Sequence, residues 1–532
     1  MIEEGERLSR SRLWRLQRSF FERRGMEAWS RGTVPHYITS NPYIAQAYAR
    51  VVLGWLRDLA HGAGELGLDR AAPIHVVELG AGSGRFAFYV LRALQRLLDR
   101  SRLGALRVRY VMTDLAAATV DAWLSHASLA PFFEAGVLDV ARFDVERDDA
   151  LQLQYSGETL TGSATANPIA VIANYVLDSV PQDAFSIRDG VLHEARVTLR
   201  APAGDGAALD LDDPALLARL TTSYAHVPVR GRTYDDPRLE RTLRAVADWT
   251  TERTFLFPSV ALACFGRLVA LGGGRMLVLA GDKGFGDEGE VRRRDATFLD
   301  VHGSISFMVE FPALGRWFVD QGGVALRHAH PHGELCVSAF VLGAPADGPV
   351  ETALAYEEAI GHQGPDDYFA LRQRVRQHYL AMDLSELLAW LRFGEHDPTA
   401  LLDAWNAIVS RLPTAGAAER DELRRAIHAT WAAYFPIGEP RDLAFALAML
   451  LGALGRHTEA LTLFAHSIAQ HGDDPRTHAQ IAICLARMGR LDAALAAVER
   501  ALAIEPLPDI LALRDELRTK LAATAATAIA PA

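Results

Sequence analysis

Ile74-His75-Val76-Val77-Glu78-Leu79-Gly80-Ala81-Gly82-Ser83-Gly84-Arg85-Phe86 reads as a buried strand ending in an acidic residue, a glycine-spaced turn and the opening of a helix. A Rossmann-like α/β sheet, with helices on both faces, holds a nucleoside cofactor at the carboxyl end of such a strand. Glycines there permit positive φ and let the backbone approach a ligand closely. Two cofactor classes compete for the pattern. A dinucleotide fingerprint needs its third glycine where Arg85 stands, and Gly84 falls one residue early. Glu78 discriminates more sharply. A carboxylate at the strand tip repels a pyrophosphate but suits the ammonium and sulfonium of S-adenosylmethionine.

Downstream spacing supports the second cofactor. After a helix over 86–100, the strand Val108-Arg109-Tyr110-Val111-Met112-Thr113 ends at Asp114, whose carboxylate can accept from both ribose hydroxyls. A helix over 117–127 follows. A run over 140–145 then carries Asp144, placed to accept from an adenine amino group. The next strand, Ile169-Ala170-Val171-Ile172-Ala173, opens into Asn174-Tyr175-Val176-Leu177-Asp178-Ser179-Val180-Pro181. Four strand ends in register each bring a polar residue to the ligand edge. The candidate cofactor-binding set is Tyr37, Thr39, Glu78, Gly80, Ala81, Gly82, Gly84, Asp114, Leu115, Asp144, Val145 and Asn174.

Composition narrows the partners. At 532 residues and 50% hydrophobic content, the chain can bury several cores. A net charge of -11 argues against nucleic acid, which binds clustered cations. Cys264, Cys336 and Cys484 are few, odd in number and far apart, as expected in a reducing cytoplasm. The charged start Met1-Ile2-Glu3-Glu4-Gly5-Glu6-Arg7 has no apolar signal core, and no uninterrupted apolar run reaches the ~20 residues of a membrane span. A soluble cytoplasmic protein with no membrane partner is expected.

Five regions are expected: an N-terminal helical cap at 1–60, a cofactor-binding domain at 61–345, a helical connection at 346–435, repeats at 436–520 and a disordered tail at 521–532. The cap comprises helices over 9–24 and 43–60. Residues 191–255 read as a helical insertion, with helices over 216–225 and 237–249. The sheet resumes after a helix over 259–271, continues in a strand over 275–280 and closes with an antiparallel pair over 323–328 and 334–342. Near the C-terminus Leu451, Gly455 and Ala460 recur as Leu485, Gly489 and Ala494. That spacing and small-residue pattern is the tetratricopeptide (TPR) one, an all-α helix-pair stack. Helices over 368–434 are expected to complete it, since two units alone are too few.

Three segments carry a family resemblance: Tyr37-Ile38-Thr39-Ser40-Asn41-Pro42, the Glu78-to-Gly84 loop, and the 172–181 segment through Asn174-Tyr175. Together with His302-Gly303-Ser304-Ile305-Ser306-Phe307-Met308-Val309-Glu310-Phe311, they resemble landmarks of the MidA-like methyltransferases, relatives of the mitochondrial complex I assembly methyltransferase. The resemblance covers roughly residues 30 to 340. It implies S-adenosylmethionine as methyl donor and a protein substrate, with arginine the acceptor in the best-known member. Tyr175 stands where the family has glutamate. A guanidinium needs carboxylates to orient it, which a tyrosine cannot supply, so this residue argues against arginine as the acceptor.

The candidate catalytic residues are Asn174, Tyr175 and Asp178, with Asp183 close behind in sequence. Asn174 could orient an acceptor through its carbonyl and Tyr175 could position the substrate. Asp178 could act as base or cap the next helix. His328-Ala329-His330-Pro331-His332 has strand spacing, but Pro331 breaks the strand and only Glu334 lies near at ligand spacing, so no metal site is expected. Gly281-Asp282-Lys283-Gly284-Phe285-Gly286-Asp287 follows the fifth strand as a mobile loop that could border the substrate mouth, with a solvated turn the favoured reading. The reading is a methyltransferase acting on a protein or peptide recruited partly by the TPR-like domain. Its rivals are an inactive scaffold working through that domain and a small-molecule methyltransferase of secondary metabolism.

Overall fold

The computed structural model describes residues 2–30, 37–62, 68–162, 166–201, 210, 212–249, 252–293, 300–301, 305–328, 330 and 332–529. Parts of the sequence reading therefore lie outside the described residues: 31–36, most of the 201–206 loop, His302-Gly303-Ser304, Ala329 and Pro331. The chain divides into two compact units, Met1–Leu371 and Arg372–Ala532.

With short elements left unlabelled, as is the helix Pro365–Arg376 in which the division falls, the first unit runs β1 (Glu3–Glu6), α1 (Leu13–Arg24), α2 (Pro42–His61), β2 (Ile74–Leu79), α3 (Arg85–Asp99), β3 (Val108–Asp114), α4 (Ala117–Leu124), β4 (Leu138–Arg142) and β5 (Ile169–Asn174). It continues through β6 (Asp183–Arg188), β7 (Val191–Arg200), β8 (Thr221–Pro228), α5 (Pro237–Ala247), β9 (Arg253–Phe257), α6 (Ser259–Leu271), β10 (Met276–Asp282), α7 (Phe311–Val319), β11 (Val324–Arg327), β12 (Cys336–Leu342) and α8 (Val350–Tyr356).

The main sheet has seven strands in the order β11-β12-β10-β5-β2-β3-β4. Strands β4, β3, β2, β5 and β10 are mutually parallel, and β12 runs antiparallel to β10 and β11. Val76, Val77, Val111, Met112, Val171, Ile172, Val278 and Leu279 are all fully buried. Such apolar runs are what a parallel sheet covered on both faces requires. Register aligns Glu78 with Ile172 and Met112, so the ends of β2, β3 and β5 share one edge.

Of the expected helical insertion, the helix over 237–249 is present as α5, and the rest is a second, antiparallel sheet. Its order is β1-β7-β6-β9, with β8 on the other side of β7. The helix expected over 216–225 is a 3-10 turn, Pro214–Arg219, capped by Asp213 and followed by β8. β8 pairs with β7 along its whole length, from Thr221 opposite Arg200 to Pro228 opposite His193. The N-terminal cap is likewise not purely helical, because β1 adds to this sheet opposite Leu199 and Val197. Leu8, Leu13, Leu16, Val197, Leu199 and Leu256 form the core that joins them.

The boundary expected at 345/346 also moves. Helix α8 packs on α2 within the first unit. A Cβ at Gly54 would lie 2.5 Å from the Glu351 carbonyl oxygen, so only glycine admits this approach. The Asp58 carboxylate accepts from Glu351 N (2.9 Å), Thr352 N (2.8 Å) and Thr352 Oγ1 (2.5 Å), closing the exposed start of α8.

The second unit is helical: α9 (Leu384–Phe393), α10 (Pro398–Arg411), α11 (Ala417–Ala432), α12 (Leu443–Ala453), α13 (His457–His471), α14 (Pro475–Arg487), α15 (Leu491–Ile504) and α16 (Pro508–Ile529). Gly455 and Gly489 take the same left-handed turn, φ 74° and 76°, between the two helices of each repeat. Ala460 and Ala494 behind them are fully buried, letting the paired helices approach. Trp405 Nε1 donates to the Ala446 carbonyl (3.1 Å), tying α10 to the first repeat. The segment expected to be a disordered tail is helix as far as Ile529.

Candidate active site

A cavity opens at the carboxyl edge of β2, β3 and β5. It is lined by Glu78, Gly80, Ala81, Gly82, Asp114, Leu115, Asp144, Val145, Thr39, Asn174, Tyr175 and Asp178 among others. Twelve of the fourteen residues proposed from sequence thus converge on one space. Tyr37 and Gly84 do not line it. Tyr37 packs near the Phe369 ring (6.5 Å). Gly84 begins α3 at φ 78°, and a Cβ there would meet Met112 Cε at 2.8 Å and Trp123 at 3.1 Å. Its lack of a side chain serves helix packing. Gly82 does line the cavity: its φ is 53°, and a Cβ would strike the Trp29 ring at 2.8 Å.

Glu78 is 3% exposed, and its side chain accepts from Tyr110 Oη at 2.9 Å. Burial pushes its pKa up to about 8 despite that hydrogen bond. Asp114 is pushed to about 6 by burial, against the pull of the Ala116, Gly82 and Leu115 amides. Its Oδ1 accepts from Ala116 N (2.9 Å) and its Oδ2 from Gly82 N (3.3 Å), leaving acceptor capacity toward the cavity. Asp144 differs. Burial would raise it, but Arg18 holds it below the usual range through contacts of 2.9 and 3.5 Å. Arg18 also binds Glu146 at 2.6 Å. Asp144 therefore meets α1 as well as the cavity.

Past β5, Asn174 is pinned, its Nδ2 donating to the Thr39 carbonyl at 2.6 Å. This explains the conspicuous 37–42 segment. Asn41 caps α2 by accepting from Tyr43 N and Ile44 N, and its Nδ2 donates to the Tyr37 and Ile38 carbonyls, so Thr39 is presented to Asn174. Tyr175 sits at φ 57°, a strained left-handed conformation for a non-glycine, and its ring lies 5.8 Å from Lys283 Nζ. Asp178 is not an N-cap. It lies inside the short 3-10 helix Leu177–Ser179 and accepts from Ser179 Oγ at 2.9 Å. Burial raises it to about 6, while Ser179 and the Lys283 charge draw it down. Asp183 points elsewhere, accepting from Tyr234 Oη (2.6 Å) and Ser9 N (3.3 Å).

The sequence reading missed the wall built from the N-terminus. Trp14, Gln17, Arg18, Phe21 and Trp29 all line the cavity, as does Lys283. The 281–287 segment is no solvated turn, since Asp282 is fully buried and Phe285 nearly so. Asp282 accepts from Asp178 N (3.1 Å) and Lys283 N (2.8 Å), and burial together with the Asp178 charge holds its proton strongly. The cavity thus gathers Glu78, Asp114, Asp144, Glu146 and Asp178 against Arg18 and Lys283. Glu78 in particular is a buried carboxylate facing a cavity without a cationic side chain hydrogen-bonded to it. A ligand with fixed positive charge fits it, and a pyrophosphate does not.

Comparison with known proteins agrees with this chemistry. Residues 57–257 match the model of the family described as "Putative S-adenosyl-L-methionine-dependent methyltransferase", and residues 453–517 match the tetratricopeptide repeat model. No curated protein matches the chain at a significant level. Among solved structures, the chain is similar to two proteins of one superfamily from Burkholderia thailandensis. The first is uncharacterised: identity is 16% over 65% of this chain and 89% of that one, with a TM-score of 0.37. The second was solved with S-adenosyl-homocysteine: identity is 17% over 70% and 73% of the two chains, with a TM-score of 0.33. The CurJ carbon methyltransferase overlaps 55% of this chain and 54% of its own at 10% identity and a TM-score of 0.24. At such scores the overlaps are loose, and the assignment rests on the family models. S-adenosylmethionine is the cofactor of that family; residues 57–257 of this chain are similar to it, and residues 453–517 are similar to the tetratricopeptide repeat.

Proposed function

We propose that the chain transfers a methyl group from S-adenosylmethionine to a protein or peptide in the cytoplasm, recruited partly by the TPR domain. The observation that carries this reading is Glu78, a buried acid at the lip of β2 facing a cavity that also holds Asp114, Asn174 and Asp178. When bound, the cofactor supplies a methyl group already activated on a sulfonium. The protein's part is to hold donor and acceptor aligned and dry. Glu78 would take the cationic methionine end and Asp114 the ribose hydroxyls. Thr39, Gly80, Ala81, Gly82, Leu115 and Val145 would form the walls. Asp144 keeps lone pairs for the adenine amine beside its Arg18 contact.

Asn174, Tyr175 and Asp178 would face the acceptor. A pKa raised to about 6 suits Asp178 to take a proton near neutrality. Tyr175 beneath Lys283 disfavours a guanidinium, which would meet a cation where the family places a carboxylate. The favoured acceptor is therefore a neutral nucleophile. The TPR stack supports a polypeptide substrate, since such helix pairs present a concave groove. The test is incubation of the pure protein with labelled methyl donor and a cell lysate, resolved by size. Label in a discrete protein band supports the reading. Label confined to small molecules favours a metabolite acceptor, and no label with intact cofactor binding favours a scaffold.

A further inference from the structure

Sequence spacing gave the histidine run 328–332 no cysteine partner, but the fold supplies one. Strand β12 begins at Cys336, and its Sγ, with one nitrogen each of His328 and His332, forms a trio whose atoms lie within 4.8 Å of one another. Among the described residues no other such trio occurs. We propose that His328, His332 and Cys336 bind a zinc ion, leaving a fourth place to water.

Three observations beyond proximity carry this. First, each imidazole has one nitrogen engaged by a backbone carbonyl and the other available to a ligand. His328 Nδ1 is 2.7 Å from the His330 carbonyl and His332 Nε2 is 2.9 Å from the Gly284 carbonyl. A carbonyl only accepts, so each of these nitrogens carries the proton, and the other nitrogen of each ring keeps a bare lone pair. Metal-bound histidines are oriented in this way by backbone carbonyls. Second, the freed His328 Nε2 is shielded from solvent and has no hydrogen-bond partner, a costly state for a buried lone pair that a metal ion would relieve. Third, space is kept open. A Cβ at Gly286 would lie 3.2 Å from His332 Nδ1 and 3.4 Å from Cys336 Sγ, so glycine leaves a gap between the donors.

The backbone between the ligands is also fixed in advance. Asp366 accepts from Gly333 N (2.7 Å), Glu334 N (2.8 Å) and Leu335 N (2.9 Å), holding the turn that separates His332 from Cys336. Zinc lies about 2.0–2.3 Å from nitrogen and sulfur ligands, so the donors need to close by only about an ångström. Imidazole and thiolate together select zinc over magnesium or calcium. On binding, the Cys336 thiol releases its proton to solvent. The ion would tie β12 to Gly284, next in sequence to Lys283 in the cavity wall, and so brace the active site without entering it.

The test uses the full chain, stripped with a chelator and titrated with Co(II), then Zn(II). One equivalent of Co(II), a tetrahedral visible spectrum and a thiolate-to-cobalt charge-transfer band displaced by Zn(II) are expected. Cys336→Ser should abolish the charge-transfer band, and Cys264→Ser and Cys484→Ser should leave it intact. Gly286→Ala keeps every ligand but fills the gap, so at least tenfold weaker binding is expected with an unchanged circular dichroism spectrum. No uptake by the wild-type chain, uptake without a thiolate band, or a band that survives Cys336→Ser would each overturn the assignment.

Discussion

Replacing Glu78 with glutamine tests the cavity's electrostatics directly, because two observables should move in opposite directions. The native acid is lifted from 4.5 to about 8 by burial. Between those values the folded state holds a proton that the unfolded chain has lost. Stability of the cofactor-free protein therefore falls as pH rises through that window, and the deficit persists above it. At about 1.4 kcal/mol per tenfold change in protonation, the ionisation penalty is at most about 5 kcal/mol. The carboxylate faces a cavity that admits water, so on the order of 1–2 kcal/mol is expected in practice. Glutamine retains an acceptor for Tyr110 and carries no charge. Glu78→Gln should thus melt several degrees higher than wild type at pH 8.5 without cofactor, at about 2–4 °C per kcal/mol, and equally at pH 5. It should also bind S-adenosylmethionine about 10–100-fold more weakly, having lost the anion opposite the cation. Wild-type affinity should climb toward pH 8 as the bound cation expels the proton, and the variant should lose that part of the climb. Differential scanning fluorimetry and titration calorimetry in two buffers of different ionisation enthalpy read these effects. A variant that is less stable yet binds with unchanged affinity would refute the reasoning.

Further outcomes follow from single contacts. Gly82→Ala forces a side chain into a φ of 53° and against Trp29, costing about 1–3 kcal/mol; thermal melts with and without S-adenosylhomocysteine should show lower stability and a smaller ligand-induced shift. Arg253→Met strips the buried Glu310 of its 2.5 Å partner, a loss of about 3–5 kcal/mol in urea unfolding at neutral pH or above. Burial already raises Glu310 to about 7, so that loss should shrink as pH drops and the orphaned acid takes a proton. Lys283→Met removes a charge that draws Asp178 down; the acid limb of the rate profile, measured with any identified substrate, should move to higher pH, and an unmoved limb would exclude Asp178 as the titrating base.

The main sheet was legible because its strands are buried on both faces, so Val76-Val77, Val171-Ile172 and Val278-Leu279 read as apolar runs whose ends a polar residue marks. The second sheet was not. β8 alternates between exposed and half-buried residues, and the neighbouring Leu216-Leu217 pair draws a helical reading onto it. Its stability comes from β7, and propensity carries no trace of that pairing. The same reason hid the N-terminal wall. Arg18 meets Asp144 across 126 residues, a distance over which no local pattern speaks. Gly84 lies off the cavity, and a loop glycine packed against Trp123 looks the same in sequence as one that lines a ligand space. The nearness of Cys336 to His328 and His332 was not read from the sequence because ligand spacing was judged along the chain, whereas the turn held by Asp366 folds it back.

The Asp58 carboxylate bears on how the protein can be dissected. It fastens a helix near the start of the first unit to one almost three hundred residues later, and Gly54 gives that later helix a seat. A fragment cut at 345, where composition invites a cut, would bare an apolar furrow along α2 and leave an acid stranded in it. Such a piece should precipitate or recruit a chaperone, and its failure would say nothing about methyl transfer. Fragments that run past the helix Pro365–Arg376 keep the clasp shut.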